Sequence, residues 1–175
     1  ISGATDISSF YRHTCATIGG AVKCWGYNLY GQLGVGNTTN TNAPISMVGI
    51  DSLPAGLAVG ANFTCVLFVT AVIKCAGQNS FGQLGNATFT TATSPVTVVA
   101  TTGASDMVVS DNHSCAIVDA GAVKCWGSNA AGGLGNGSTT SSSVPVTAVG
   151  VSGATVVRAG YSLAGTYTCA IVTAG

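Results

Sequence analysis

The sequence predicts an all-β fold built from propeller-type blades, and three observations carry that prediction. A block of about 50 residues occurs three times and starts a fourth. Its marks are Cys15, Lys23-Cys24-Trp25-Gly26 and Gly31-Gln32-Leu33-Gly34, then Cys65, Lys74-Cys75-Ala76-Gly77 and Gly82-Gln83-Leu84-Gly85. They return as Cys115, Lys124-Cys125-Trp126-Gly127 and Gly132-Gly133-Leu134-Gly135, and begin again at Cys169. Such a period marks solenoids and propellers. Second, the segments between cysteines are short, rich in Val, Ile and Thr, and broken by glycine, which suits strands and not helices. Third, each repeat offers about four short antiparallel strands, and several short strands per repeat form blades and not one sandwich. The repeats run over 1–50, 51–100 and 101–150, with an incomplete fourth over 151–175, together one partial propeller or repeat array.

Within the first repeat, Cys15 and Cys24 lie symmetrically about Gly19-Gly20. A two-residue Gly-Gly turn supplies the positive φ angles of a tight hairpin and pairs Ile18 with Ala21, Thr17 with Val22 and Ala16 with Lys23. Cys15 then faces Cys24, within disulfide reach. Cys65 with Cys75 and Cys115 with Cys125 centre on Thr70 and Ala120, giving three-residue loops in the same register. All three pairs are expected as disulfides. A metal site would want clustered Cys/His at C-x₂₋₄-C spacing, which is absent. After each hairpin come a glycine-rich loop, a Ser/Thr/Asn tract, and a short strand expected to start at Pro44, Pro95 or Pro145. Ser152-Gly153-Ala154-Thr155 repeats Ser2-Gly3-Ala4-Thr5, and Thr173-Ala174-Gly175 aligns with the hairpin loop Asp119-Ala120-Gly121. The partner of Cys169 is therefore expected beyond the chain end.

Charge is nearly absent: 6% of the 175 residues are charged, none is glutamate, and the net charge is zero. Counterion release on nucleic acid needs a basic patch that this chain does not encode. No run of 18 apolar residues provides a membrane span. Three disulfides imply an oxidising compartment, so the expected location is extracellular or at the cell surface.

The motifs His13-Thr14-Cys15-Ala16, Lys23-Cys24-Trp25-Gly26 and Gly31-Gln32-Leu33-Gly34 at this period resemble the repeats of the regulator of chromosome condensation (RCC1) family, along the whole chain. The resemblance is to the disulfide-containing extracellular type. It implies β-propeller blades of four strands in a ring of seven, which needs about 350 residues, so a fragment, an open assembly or a segment of a longer chain is implied. Ala76 stands where the other copies have tryptophan, so the second blade is expected to pack less tightly there. The family's founding member binds chromatin and promotes guanine-nucleotide exchange. That activity is not carried over, because function lives in loops grafted on a fold and those loops have no recognisable counterpart here.

The remaining candidates read as structural. His13 and His113 precede a cysteine by two positions, and Phe63 and Tyr167 take that place in the other copies, so the rings are expected to fill space between blades. Asp6, Asp51, Asp106, Asp111 and Asp119 show no calcium-loop spacing and suit turns and caps. No catalytic residue, metal ligand or cofactor site is assigned. Five N-x-S/T acceptors occur. Asn37, Asn86 and Asn136 fall at equivalent loop positions and are the favoured glycan sites, while Asn62 and Asn112 sit beside strands and rank lower.

The expected function is a non-enzymatic structural or assembly module of a cell-surface or secreted fibre. Its expected partners are copies of itself, other extracellular proteins and N-linked glycans, with no nucleic acid and no membrane span. The alternative is a propeller module that recognises a protein or glycan. An exchange factor or chromatin binder ranks last, since a reducing compartment would leave seven thiols free.

Overall fold

A computed structural model describes residues 2–162 and 165–173 of the chain. Ile1, Ala174 and Gly175, which bound the outer repeats, lie outside the described residues. Three four-stranded antiparallel sheets and one two-stranded sheet follow one another along the chain. The first holds β1 (Ala4–Phe10), β2 (His13–Ile18), β3 (Ala21–Gly26) and β4 (Thr41–Ser46). The second holds β5 (Pro54–Val59), β6 (Phe63–Phe68), β7 (Ile73–Gly77) and β8 (Ala92–Thr97). The third holds β9 (Asp106–Val109), β10 (His113–Val118), β11 (Ala122–Gly127) and β12 (Ser142–Thr147), and the last pairs β13 (Ala154–Ser162) with β14 (Gly165–Val172). Strands pair in sequence order within each sheet, and β1, β5, β9 and β13 contact one another in succession. Each sheet is a blade, with its first strand innermost.

The expected hairpin register is observed. Cys15 faces Cys24, Cys65 faces Cys75 and Cys115 faces Cys125, with Cα atoms 4.1, 4.1 and 4.0 Å apart and a disulfide across each pair. Gly19 and Gly20 take φ of 58° and 80°, the left-handed angles that a two-residue hairpin turn requires. In the third blade the loop is a single 3₁₀ turn in which Asp119, Ala120 and Gly121 all have positive φ, so the strain is shared and does not fall on the glycine alone.

One strand expectation is corrected. Pro44, Pro95 and Pro145 do not open their strands; each is the fourth residue of β4, β8 or β12. Proline is tolerated there because these are edge strands and the ladder shifts beside it, between Cys24 and Gly26, Cys75 and Gly77, and Cys125 and Gly127.

The core lies between blades, not within a single layer. Leu33, Val22 and Met47 of the first blade pack with Leu57, Val66 and Phe68 of the second. Phe63, Ile73 and Leu84 of the second pack with Val109, Ala116 and Trp126 of the third. Ile117, Val123 and Leu134 of the third pack with Ala154 and Val157 of the fourth. Strands β6 and β10 are buried along their whole length because each serves two seams at once, using its two faces.

The expectation of looser packing beside Ala76 is answered by the opposite wall. In the seam between the second and third blades, Trp126 lies against Gly85 and Val98. In the preceding seam the equivalent glycine, Gly34, is covered by Met47, which is only 5% exposed. A long flexible thioether on the wall replaces an indole from across the seam.

Candidate functional site

Three side-chain systems hold the blades in place, and their identity decides which residues remain free for function. The first is an asparagine inside each glycine-rich loop. Asn28, Asn79 and Asn129 are fully buried, and each Oδ1 accepts from the backbone N–H of Leu33, Leu84 or Leu134 at 2.9 to 3.0 Å. Each Nδ2 donates to two carbonyls of the following tract: Asn37 and Thr39, Thr88 and Thr90, or Ser138 and Thr140. Sequence reasoning passed over these residues. The signal was present, since an asparagine stands four residues after the second cysteine of every hairpin.

The second system crosses the seams. Thr64 Oγ1 donates to the Gln32 carbonyl at 2.8 Å, Ser114 Oγ to the Gln83 carbonyl at 3.1 Å, and Thr168 Oγ1 to the Gly133 carbonyl at 3.0 Å. His13 Nε2 lies 2.8 Å from Thr64 Oγ1, and His113 Nε2 lies 2.8 Å from Thr168 Oγ1. Each hydroxyl proton is already given to a carbonyl, so the imidazole must donate through Nε2–H. Its Nδ1 lone pair then faces the core without a partner, as observed for both rings. Burial lowers both histidine pKa values to about 4, because a charged ring there would lose its hydration. The two rings are neutral bolts between blades, in line with the role expected of them.

The third system is the five N-x-S/T patterns, which the structure sorts. Thr64 and Ser114, the hydroxyl members for Asn62 and Asn112, are the buried seam donors just described. Asn62 Nδ2 donates to Gln78 Oε1 and Asn112 Nδ2 to Asp111 Oδ2. At the loop sites the carboxamide oxygen is the engaged atom: Asn37 Oδ1 accepts from the Thr39 N–H, Asn86 Oδ1 from Thr88, and Asn136 Oδ1 from Ser138. Asn86 and Asn136 are equivalent, as expected, but Asn37 is not. Its carbonyl takes the place of those of Thr88 and Ser138, because its sequon starts two residues further along a loop of the same length.

Asp51 and Asp106, expected in turns and caps, instead bond residues far along the chain. Asp51 pairs with Lys74 at 2.7 Å on the surface, and this bond holds its carboxyl below the usual range. Asp106 accepts from the Val157 N–H across a seam and meets Arg158 at 3.3 Å.

One exposed cluster outside these systems lies on a single face. Here the loop between the first two strands of each blade touches the loop after the third, through Tyr27 N–H to the Arg12 carbonyl, Gln78 N–H to Asn62, and Ser128 N–H to Asn112. In the first blade these loops carry Tyr11, Arg12, Tyr27, Leu29 and Tyr30. The Arg12 guanidinium sits 4.7 Å from the Tyr11 ring centre and 5.4 Å from that of Tyr27, and Tyr27 and Tyr30 are 6.4 Å apart. Tyr11 is 71% exposed and Leu29 58%. Next to them a shallow cavity of about 330 Å³ runs past Tyr11, Ala61 and Asn62 to Asp111, whose carboxyl is raised by burial against an opposing hydrogen bond from Asn112. Sequence reasoning missed this cluster. Aligning the copies exposes it, since Tyr11-Arg12 is replaced by Ala61-Asn62 and Asp111-Asn112, and Tyr27 by Gln78 and Ser128.

Among the described residues no group of three or more His, Cys, Asp or Glu could hold a metal ion, and no helix is long and apolar enough to cross a membrane.

A chain of stapled blades, packed face to face with hydroxyl-to-carbonyl bonds across each seam and carrying variable loops at one end, is a segment of a β-propeller. Residues 20–67 and 104–132 match the regulator of chromosome condensation (RCC1) repeat, so the chain carries RCC1-like repeats. It is 35% identical over 80 residues to the probable E3 ubiquitin-protein ligase HERC4 of Homo sapiens, covering 43% of this chain and 7% of that protein. It is 36% identical over 84 residues to the RCC2 homolog of Danio rerio, covering 47% of this chain and 17% of that protein. Yeast RCC1 (Prp20), crystallised with Kap60, overlays 98% of the chain with a TM-score of 0.83 at 15% identity, and 43% of its own length is matched. A second Prp20 structure, from Saccharomyces cerevisiae, overlays 83% of the chain with a TM-score of 0.75 at 18% identity, and 38% of its own length is matched.

These findings overturn the expected role in a cell-surface or secreted fibre, and with it the expected partners: copies of itself, other extracellular proteins and N-linked glycans. Among the matched proteins are RCC2, HERC4 and Prp20, and Prp20 is described as binding Kap60, Gsp1p and histones. The error has a physical root. Low charge and disulfides describe how the blades are held together, whereas partners are chosen by the loops.

Proposed function

We propose that this chain is a non-catalytic protein-recognition segment of an RCC1-like propeller, which engages a folded partner through the loop face of its first blade. The observation that carries this reading is the exposed cluster of Tyr11, Arg12, Tyr27 and Tyr30. Tyrosine and arginine dominate the energetics of protein interfaces, and an arginine held between two rings is ordered before the partner arrives. At the places of Tyr11, Arg12 and Tyr27 the second and third blades carry Ala61, Asn62 and Gln78 or Asp111, Asn112 and Ser128 on the same framework, so these three answer to no packing need. The non-catalytic reading is supported by the employment of the polar candidates: both histidines are seam bolts, and six cysteines are disulfides.

Those disulfides also support an oxidising setting, outside the cell or on its surface. Native protein treated with an alkylating reagent without reductant is expected to gain no adduct at Cys15, Cys24, Cys65, Cys75, Cys115 or Cys125. Adducts at these six would refute the setting.

The recognition reading is tested with the partners described for Prp20. Purified Gsp1p and histones are titrated against the protein and against a Tyr11→Ala/Arg12→Ala variant. A partner that uses this face is expected to lose about 30-fold in affinity in the variant, on the order of 2 kcal/mol. Equal affinity for both proteins, or no binding of either probe, would count against the reading. Accelerated release of labelled GDP from Gsp1p would replace it with an exchange activity.

A further inference from the structure

On the loop face, the cavity of about 330 Å³ is bounded by the first three blades at the turns that join their first two strands. The first blade contributes Phe10 and Tyr11, the second Ala61 and Asn62, and the third Asp111. The Ala61 N–H donates to the Asp111 carbonyl at 3.2 Å, so the second and third turns are fixed to each other. Asp111 brings the only charge among these lining residues. No lysine or arginine is paired with it among the described residues: Arg12 stands over the Tyr11 and Tyr27 rings, Lys74 pairs with Asp51, and Arg158 with Asp106. Burial raises its carboxyl, the Asn112 hydrogen bond opposes this, and no neighbouring charge contributes. An ionised carboxylate partly out of water is costly, and a cation in the cavity would offset that cost. A titratable group shifted by desolvation inside a cleft is a mark of binding sites.

The acceptors decide which cation fits. Asp111 Oδ2 already accepts from Asn112 Nδ2 at 2.6 Å. An arginine fork takes both carboxylate oxygens in one plane and would have to displace Asn112, whereas a lysine ammonium is a compact charge that needs a single oxygen. Asn62 gives its Nδ2 to Gln78 at 3.0 Å, and its Oδ1 accepts from no donor among the described residues. Asp111 Oδ1 and Asn62 Oδ1 are thus two acceptors for the three hydrogens of an ammonium group. Tyr11, on the same cavity, offers ring surface to the methylene stem behind it.

We propose that Tyr11, Asn62 and Asp111 form a subsite for one lysine side chain of the partner protein. The ammonium bonds the Asp111 and Asn62 oxygens, and the stem lies against the Tyr11 ring. The proposal rests on the protein-recognition reading above and names the chemistry that the partner presents beside the aromatic cluster.

The probe is Nα-acetyl-lysine methylamide, followed through the amide signals of Ala61, Asn62 and Asp111 in NMR spectra of the whole chain. Saturable shifts at millimolar probe are expected, with about fivefold weaker binding of the arginine analogue. The norleucine analogue, which has a stem without the ammonium, is expected to leave the signals in place. Asp111→Asn keeps an acceptor for Asn112, and is expected to abolish the shifts with an unchanged melting temperature. No shifts with the lysine probe, equal shifts with norleucine, or shifts that survive in Asp111→Asn would each overturn the proposal. The titrations of Gsp1p and histones then separate this subsite from the reading it rests on. Asp111→Asn is expected to weaken the partner that uses this face about tenfold, and acetylation of that partner's lysines to erase the difference between native protein and variant. Loss of affinity in Tyr11→Ala/Arg12→Ala with none in Asp111→Asn would overturn the subsite and leave the recognition reading standing. Lysine-probe shifts that need Asp111, with neither variant altering the affinity for Gsp1p or histones, would support the subsite and refute the reading.

Discussion

The seam between the first and second blades and the seam between the second and third do the same job with different chemistry. In the first, His13 donates to Thr64, Thr64 donates to Gln32, and Met47 covers Gly34. In the second, Phe63 occupies the histidine position, Ser114 donates to Gln83, and Trp126 covers Gly85 while also bonding Gln83. The element common to both is the hydroxyl-to-carbonyl bond across the seam. The ring two residues before the cysteine, and the large group over the glycine, vary around it. A blade seam therefore specifies its alignment with one polar contact and leaves its filling to whichever side chains suit the volume.

The largest expected break of this comparison is Trp126→Ala. The indole is fully buried and holds a hydrogen bond, so truncation is expected to cost about 3 to 5 kcal/mol in urea unfolding. Trp25→Ala, which removes a half-buried copy of the same residue, is expected to cost less than half as much. Equal losses would show that tryptophan serves its own blade and not the seam.

Acid separates the two seams next. The folded histidine pKa of about 4 lies below the unfolded value near 6.5, so the unfolded chain takes up protons first as pH falls. Stability is full above about pH 6.5 and declines toward pH 4, by about 3 kcal/mol for each ring. His13→Phe, which copies Phe63, is expected to remove roughly half of that decline in denaturant midpoints measured across the window. An unchanged pH profile would mean that His13 is not the bolt described here.

Removing the common element sharpens the comparison further. Thr64→Val breaks the bond to Gln32 and also strands the Nε2–H of His13, so about 2 to 3 kcal/mol is expected. Ser114→Ala has no histidine to strand and leaves Gln83 its bond from Trp126, so about 1 kcal/mol is expected. The reverse order would refute the account of the polar seam.

The smallest effect concerns surface chemistry. Buried hydroxyls and engaged amides at Asn62 and Asn112, against amides not held through Nδ2 at Asn37, Asn86 and Asn136, rank these sites for sugar in a secretory host. Glycopeptide mass spectrometry is expected to show higher occupancy on the loop sites, with melting temperature little changed. Higher occupancy at Asn62 or Asn112 would contradict the ranking.

Much of this architecture was legible from spacing alone. The symmetric cysteines about Gly19-Gly20 set the hairpin register, because opposed residues on a two-stranded ladder are determined by the turn between them. The period set the blades, because a local pattern repeated along a chain produces the same local structure each time. What needed the tertiary structure was everything that depends on the neighbouring blade. Thr64 and Ser114 read as members of glycan acceptor patterns and proved to be the seam donors. Ala76 read as a gap, until Met47 was found covering Gly34 in that seam. The prolines read as strand openers, since only the ladder shift beside them shows that an edge strand can hold them inside. The loop cluster of Tyr11, Arg12, Tyr27 and Tyr30 joins positions up to 19 residues apart, brought together by the pairing of Tyr27 N–H with the Arg12 carbonyl. Local pairing is written in short spacings along one chain, whereas packing partners are chosen by three-dimensional proximity, which no single repeat encodes by itself.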